Sequence, residues 1–96
     1  MPDRKKLSEQ EISAKLAGLT GWSVVNGKLH KEYKFKTFVR AFGFMSGVAL
    51  IAEGMNHHPE WFNVYGTVII DLTTHDVGGI SNFDFDFAAN VEQLLS

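Results

Sequence analysis

The sequence predicts an α+β domain: a four-stranded antiparallel sheet with three helices packed on one face, in the order α-β-β-α-β-β-α. Helical spacing of apolar residues in three separate segments is the first observation that predicts it. The second is a tight-turn pair, Asn26-Gly27, between two runs rich in β-branched and aromatic residues. The third is size, because 96 residues form one core and contain no candidate linker, so residues 1–96 are predicted to be a single domain.

The first element is a helix predicted by the stretch LSEQEISAKL. Ser8 fits its N-cap, and Glu11 stands at the position that completes a capping box. The helix presents one apolar face, formed by Ile12, Leu16 and Leu19.

The stretch GWSVVNGKLHKEYKF predicts the first hairpin, turning at Asn26-Gly27. On its second strand the side chains alternate between two faces. Leu29, Tyr33 and Phe35 point to one face, and His30, Glu32 and Lys34 point to the other.

A long central helix is predicted by TFVRAFGFMSGVALIAEGMN, with Thr37 as its N-cap. Its apolar residues run almost all the way round, which is wider than the stripe of a helix that is covered on one side only. We therefore expect helix 37–55 to pack against its own sheet on one side and a partner subunit on the other. Gly43 and Gly47 are unfavourable inside a helix, so we expect close packing of another backbone there.

The stretch FNVYGTVIIDLTTH predicts either a strand pair or one long strand bent at Gly66. The aromatic residues around it, Trp61, Phe62 and Tyr65, are interpreted as core side chains rather than as a stacking platform for a flat ligand. The last helix is predicted by SNFDFDFAANVEQLL, with Ser81 and Asp84 as capping residues. Asp84 is interpreted as a cap that matches the helix dipole, not as a catalytic carboxylate. The buried face of this helix is predicted to contain Phe83, Phe87, Val91 and Leu94.

Composition and charge exclude several classes of protein. The net charge of −2 gives no basic stripe for a nucleic acid, and the cluster Arg4-Lys5-Lys6 is interpreted as a solvated tail. The absence of cysteine excludes disulfides and thiolate metal sites. The longest apolar stretch is interrupted by Arg40, Ser46 and Glu53, and the first residues are polar, so we predict no membrane span, no signal peptide and a cytoplasmic location.

Three of the four histidines, His57, His58 and His75, lie in two short stretches, NHHPEW and TTHD. A metal site is disfavoured, because adjacent residues point in different directions and no helical i, i+4 pair is present. General acid–base chemistry suits imidazoles. Glu53, four residues before His57, is a candidate to bias which of the adjacent residues His57 and His58 is protonated. The plainer alternative is that His57 and His58 are loop residues and His75 is the polar end of a strand, all three without chemistry, with Pro59 fixing the turn.

These residues form a spaced motif that resembles the pterin-4a-carbinolamine dehydratases. The motif consists of Glu53, His57, His58, Pro59, Tyr65, His75 and Asp84. The resemblance implies the α+β fold above and assembly as a homodimer or homotetramer through the long central helix and a sheet edge. It also implies loss of water from 4a-hydroxytetrahydropterin to give quinonoid dihydropterin, with no cofactor and no metal.

The resemblance also implies roles for individual residues. His57, His58 and His75 are the implied catalytic residues, with His57 and His75 as the acid–base pair and His58 mainly in binding. Residues implied to bind the pterin substrate are Asn56, His57, His58, Thr73, Thr74, His75 and Asp76. Glu53, Pro59 and Asp84 are implied to support them.

Two further expectations follow from the resemblance. Some relatives are dimerisation partners of a homeodomain transcription factor through the long helix, so helix 37–55 offers an alternative coactivator role and, with it, a nuclear location. Many relatives have Asp where this chain has Asn56. A neutral amide does not raise the pKa of His57 as a carboxylate would, so we expect a shifted acid limb in the pH profile.

Overall fold

A computed structural model describes residues 3–96 and confirms the predicted α+β class and element order. Residues 3–96 fold into three helices, four strands and a short 3-10 turn. These are α1 (Glu9–Leu16), β1 (Ser23–Val25), β2 (Lys28–Lys34), α2 (Phe38–Met55), β3 (Glu60–Val64), β4 (Thr67–Leu72), the turn His75–Val77 and α3 (Asn82–Gln93).

Helix α1 begins with the predicted capping box. The Glu11 N–H donates to Ser8 Oγ at 3.1 Å, and the Ser8 N–H donates to Glu11 Oε1 at 2.9 Å. Two of the first unpaired N–H groups of the helix region are thereby satisfied. The predicted apolar face is also confirmed, since Ile12, Leu16 and Leu19 pack against the core.

The strands form one antiparallel sheet in the order β1-β2-β4-β3. Asn26 and Gly27 both have positive φ (53° and 76°), the conformation that a type I′ hairpin turn requires. The second candidate, FNVYGTVIIDL, is a strand pair and not one bent strand, because β3 pairs with β4 across a turn at Tyr65-Gly66. A side chain at Gly66 would place its Cβ 2.2 Å from the carbonyl oxygen of Phe35, so only glycine fits this close approach.

The core lies between one face of the sheet and the helices. The sheet contributes Leu29, Tyr33, Val68, Ile70 and Leu72, and the helices contribute Ala41, Phe44, Val48, Ala52, Phe85, Phe87, Ala88 and Val91. The predicted alternation along β2 is therefore confirmed. Leu94 is an exception to the predicted face of α3: it is 46% exposed, because α3 ends at Gln93 and Leu94 lies past its last turn.

The interpretation of Trp61, Phe62 and Tyr65 as core residues is wrong. Their exposed fractions are 38%, 57% and 66%. The reason is the strand order, since β3 is an edge strand that pairs with β4 alone. Side chains of a strand in that position stay accessible unless another subunit covers them.

The basic cluster near the N-terminus is not a solvated tail. Its backbone pairs with the chain at the start of α3: the Leu7 N–H donates to the Ile80 carbonyl at 2.9 Å, and Lys5 N–H donates to Asn82 Oδ1 at 2.8 Å. This pairing holds residues 3–7 across the first turn of α3. It brings the Arg4 side chain to the same end of the molecule as the histidine motif.

Helix α2 begins at the predicted N-cap, where Thr37 Oγ1 accepts the Arg40 N–H at 3.1 Å. One face is buried, and the opposite face is apolar and exposed, with Val39 79% and Leu50 75% accessible. Length and composition alone would allow α2 to cross a membrane, but its buried face belongs to the core of this domain. The exposed face is the part of α2 that lacks a covering layer.

The glycines of α2 do not meet another backbone within residues 3–96. A Cβ at Gly43 would find no atom within 4 Å, whereas a Cβ at Gly47 would lie 3.0 Å from Leu94 Cδ1. The close packing expected at Gly47 is therefore made by a side chain of the same domain. Gly43 lies in an open groove between α2 and the C-terminal residues Leu94 and Leu95.

Candidate active site

The histidine motif surrounds a cavity of about 340 Å³ at one end of the sheet. Three segments form its wall: the end of α2 with the loop after it, the turn after β4, and the N-terminal segment. The lining residues are Arg4, Asn56, His57, His58, Thr74, His75 and Asp76. The fold thus brings the three predicted histidines to one cavity.

His57 is the buried member of the three. Helix α2 ends at Asn56 in the left-handed conformation (φ 50°, ψ 44°), a conformation that Asn adopts more readily than most residues. This reversal turns His57 inward, where its Nε2 lies 2.6 Å from Asp84 Oδ1. The rings of Phe83 and Phe87 contact the imidazole edge-on, with centroids 5.8 and 6.1 Å away.

Asp84 is fully buried, and its second oxygen is also satisfied. Oδ2 accepts the Ser81 N–H at 2.8 Å and the Thr74 hydroxyl at 2.9 Å. Because Thr74 uses its proton on Asp84, Ser81 donates its own hydroxyl proton to Thr74 Oγ1, at 2.6 Å. Asp84 is the helix cap that the sequence predicts, and the structure adds a second role: it fixes the imidazole of His57.

His58 points away from the core. Its Nε2 lies 3.0 Å from Glu53 Oε1, and both side chains are exposed. Glu53, expected to influence which member of the adjacent histidine pair is protonated, lies beside His58, because the inward turn after α2 gives His57 a different carboxylate. An ion pair this exposed contributes little to stability, so it orients His58 at the cavity rim at most modestly.

His75 begins the turn after β4 and is 85% exposed. Its Nε2 is 3.8 Å from Glu60 Oε2, which is too long for a hydrogen bond. Glu60 is held by the Lys28 ammonium at 2.5 Å, and this hydrogen bond lowers the pKa of Glu60. His75 is consequently free to turn toward a molecule in the cavity.

The remaining predicted residues are divided between the cavity and its surroundings. Asn56, Thr74 and Asp76 line it, whereas Thr73 and Pro59 do not. The structure also places Arg4 in the wall, a residue that local patterns could not identify, because it lies 52 positions from its contact at Asn56. Across residues 3–96, no cluster of three or more His, Asp or Glu side chains is arranged to hold a metal ion.

The arrangement defines the proton positions on His57. An ionised carboxylate can only accept hydrogen bonds, so Nε2 carries the hydrogen that is donated to Asp84. Nδ1 of the neutral ring is then an acceptor, and Asp84 stabilises the imidazolium that forms when Nδ1 takes up a proton. A buried base held in one orientation and two exposed imidazoles line the same cavity. Such a site can accept a proton from one atom of a small ligand and donate a proton to another.

Comparison with known proteins identifies related chains. Residues 5–94 match the family model described as pterin 4 alpha carbinolamine dehydratase. The chain is 62% identical over 91 residues to a Solibacter usitatus protein whose name assigns it to the pterin-4-alpha-carbinolamine dehydratases; the match covers 95% of this chain and 96% of that one. A Prochlorococcus marinus protein with the same assignment is 49% identical, covering 92% of each chain.

Two solved structures share the fold. One is the crystal structure of a transcriptional coactivator/pterin dehydratase from Brucella melitensis, with 39% identity and a TM-score of 0.91; the match covers 96% of this chain and all of that one. The other, a pterin dehydratase-like protein identified as a RuBisCO assembly factor in the alpha-carboxysome, is 23% identical with a TM-score of 0.62. It covers 76% of this chain and 84% of the other, and this similarity shows the fold alone.

Proposed function

This chain belongs to the pterin 4 alpha carbinolamine dehydratase family, and we propose that it is a hydro-lyase that removes water from 4a-hydroxytetrahydropterin. The product would be quinonoid dihydropterin, so the enzyme would recycle a tetrahydropterin cofactor. The observation that carries the proposal is the hydrogen bond between His57 and buried Asp84 at the wall of a cavity that His58 and His75 also line. Residues 1–96 would form a single domain with this activity.

The reaction requires two proton transfers and no redox step. The N5–H proton leaves, its bonding electrons form the N5=C4a double bond, and the C4a–O bond breaks as the hydroxyl accepts a proton and departs as water. Every atom and electron is accounted for by the substrate and two acid–base groups. We therefore propose that the enzyme needs neither a cofactor nor a metal.

His57 is the proposed base for the N5 proton. Its Nε2–H is donated to Asp84, which leaves Nδ1 to accept, and the carboxylate stabilises the resulting cation. His75 is the proposed acid for the leaving hydroxyl. Its exposed imidazole has no hydrogen bond within residues 3–96, so the side chain can rotate to reach the 4a-hydroxyl that it protonates. General acid–base catalysis of this kind contributes roughly 10²–10⁴-fold.

The other proposed site residues bind and orient the ring. His58, at the rim beside Glu53, would contact the pterin without transferring a proton. Asn56 and Asp76 line the cavity, where edge-on hydrogen bonds suit a flat heterocycle. Thr74 lines the cavity, but its hydroxyl is used by Asp84 and Ser81 and its backbone N–H by Gly79, so we propose that it shapes the wall against which the ring lies. Thr73 and Pro59 are proposed to support the wall from outside.

The proposal is tested by the ultraviolet time course of 4a-hydroxytetrahydropterin dehydration in chelating buffer. We expect the protein to accelerate the reaction over its spontaneous rate, and His57→Ala to remove most of that acceleration. His30→Ala is the matched control, because His30 is the fourth histidine and pairs with Asp71, away from the cavity. A folded wild-type protein that gave no acceleration would contradict the proposed activity.

A coactivator role through α2 is the second candidate function. The exposed apolar face of α2 favours a protein partner for that surface, and we propose that this partner is another copy of the chain, giving a dimer or tetramer. A homeodomain dimerisation segment would compete for the same face. Mixing the protein with such a segment distinguishes the two: a stable mixed complex at micromolar concentration would support the coactivator role, and no exchange would exclude it.

A further inference from the structure

One cation in the cavity wall has no part in the proposed proton transfers. Arg4 lines the cavity, and its Nη2–H donates to the carbonyl oxygen of Asn56 at 2.8 Å. Its guanidinium carbon lies 4.5 Å from the centre of the Phe83 ring. The carbonyl and the aromatic face together hold the guanidinium plane in one orientation.

The backbone on both sides of Arg4 is also held. The side chain of Asn82 accepts the Lys5 N–H at 2.8 Å and donates to the carbonyl oxygen of Asp3 at 3.2 Å. One amide therefore bridges the residues before and after Arg4. A side chain held in this way loses little conformational freedom when a ligand binds, which favours a binding role.

Most N–H donors of the Arg4 guanidinium have no hydrogen-bond partner among residues 3–96. Arginine carries five N–H groups in a rigid fork, and among residues 3–96 its one hydrogen bond is the one to Asn56. No carboxylate of these residues lies within salt-bridge distance of it, although Asp76 shares the cavity wall. The remaining donors are available to an oxygen acceptor in the cavity.

We propose that Arg4 is a substrate-binding residue that donates to the ring carbonyl oxygen of the pterin. This inference rests on the proposed function and names one more contact in the same site. The carbonyl is the strongest oxygen acceptor of the ring, and a guanidinium gives a charge-assisted hydrogen bond. Such a contact fixes the rotation of a flat ring, and thereby places N5 toward His57 and the 4a-hydroxyl toward His75.

The test compares Arg4→Gln with Lys5→Gln. Lys5 is the matched control, because it is the next residue, its side chain is exposed and it lies outside the cavity wall. For each variant we would measure KM and kcat for dehydration, and the Kd of an unreactive dihydropterin by fluorescence quenching. Losing a hydrogen bond to a charged group should raise KM and Kd of Arg4→Gln about tenfold, with kcat within about twofold. Lys5→Gln should match the wild type.

A second ligand separates binding from a purely structural role. With a 2-aminopteridine that lacks the ring carbonyl oxygen, Arg4→Gln and the wild type should bind within about twofold of each other, because the lost contact is absent from both. Equal weakening of both ligands would mean that Arg4 only supports the wall, and would overturn the inference. A wild-type Kd for the dihydropterin in Arg4→Gln would overturn it as well.

Failure of the proposed function gives a different result. In that case the wild type would not accelerate dehydration, whereas the Kd comparison with the dihydropterin would still report on Arg4. The Arg4→Lys variant keeps the charge and loses the fork, so its Kd should lie between those of Arg4→Gln and the wild type.

Discussion

The proton on His57 Nε2 determines what this site can do, and Asp84 determines where that proton is. The carboxylate is fully buried and accepts from His57, Thr74 and the Ser81 backbone. A buried carboxylate with this many donors is an oriented acceptor, so it defines both the tautomer and the rotation of the imidazole. The exposed His58 and His75 have no comparable support.

Asp84→Asn is the residue-scale prediction for this pair. The amide NH₂ would face His57 Nε2 and favour the tautomer with the hydrogen on Nδ1, which removes the base. We expect kcat to fall about 100-fold, with KM changed less. The measurement is steady-state dehydration together with ¹⁵N shifts of the His57 ring. Asp86→Asn, an exposed carboxylate two residues further along α3, is the control and should retain wild-type kcat.

Substitutions of the two exposed histidines should affect different kinetic parameters. His75→Ala should lower kcat by about 10²-fold, since it removes the proposed acid. His58→Ala should mainly raise KM, because His58 is proposed to contact the ring only. Steady-state kinetics of both variants, with His30→Ala as control, measures the split. If both His75→Ala and His58→Ala kept wild-type kcat and KM, the roles assigned to these two histidines would be wrong.

At the scale of elements, α3 is joined to β2 through one carboxylate. Glu92 Oε2 accepts from Trp22 Nε1 at 3.1 Å, from Lys31 Nζ at 2.9 Å and from the Tyr33 hydroxyl. Burial acts to raise the pKa of Glu92, but the hydrogen bonds from Tyr33, Lys31 and Trp22 outweigh it, and the net shift is downward. Burial also raises the pKa of Tyr33, so the phenol stays neutral and donates.

Glu92→Gln should therefore destabilise the domain in a pH-dependent manner. A carboxyl whose folded pKa is lowered stabilises the fold above its unfolded pKa, near 4.5, and loses that contribution as pH falls through the folded pKa. At pH 7 we expect a loss of about 1–2 kcal/mol in the free energy of unfolding. Urea unfolding from pH 7 to pH 3 should show the difference from wild type shrinking below pH 4.5.

The control for that experiment is Glu32→Gln. Glu32 is on the same strand, but it is exposed and points to the other face, where it pairs with Lys34. The Glu32→Gln substitution should change the free energy of unfolding by no more than about 0.5 kcal/mol at every pH. If the free energy of unfolding of Glu92→Gln differed from that of the wild type by the same amount at every pH, the charge on Glu92 would contribute nothing to stability.

At the scale of the whole molecule, the apolar face of α2 is left uncovered by the rest of residues 3–96. Val39, Phe42 and Leu50 are more than half exposed along it, and Gly43 adds an open groove. Two copies packed along such a face would bury apolar area on both chains, which is the main driving force for association. The proposed assembly follows from this exposed face and from the exposed edge strand β3.

Leu50→Glu should disrupt that assembly without unfolding the domain. Leu50 is 75% exposed, so its replacement leaves the core intact, whereas a charge buried without a partner disfavours association. Sedimentation velocity should show the wild type as an oligomer and the variant as a monomer with wild-type circular dichroism. Val25→Glu, on β1 and away from α2, should stay oligomeric. A wild type that sediments as a monomer at every concentration of a roughly 100-fold dilution series would contradict the proposal.

The amino-acid sequence by itself determined the local structure and the motif. The capping residues at Ser8 and Ser81, the Asn26-Gly27 turn and the alternation along β2 are all correct as predicted, because each depends on residues within one or two turns or along one strand. The histidine spacing likewise identifies the family.

Tertiary structure alone decided which distant residues meet. Three features depend on the strand order β1-β2-β4-β3 and on the left-handed end of α2: the pairing of His57 with Asp84, the pairing of Arg4 with Asn56, and the exposure of Trp61. Residue periodicity shows which face a side chain occupies within its own element. It does not specify which element lies opposite, because that is decided by the packing of the whole core.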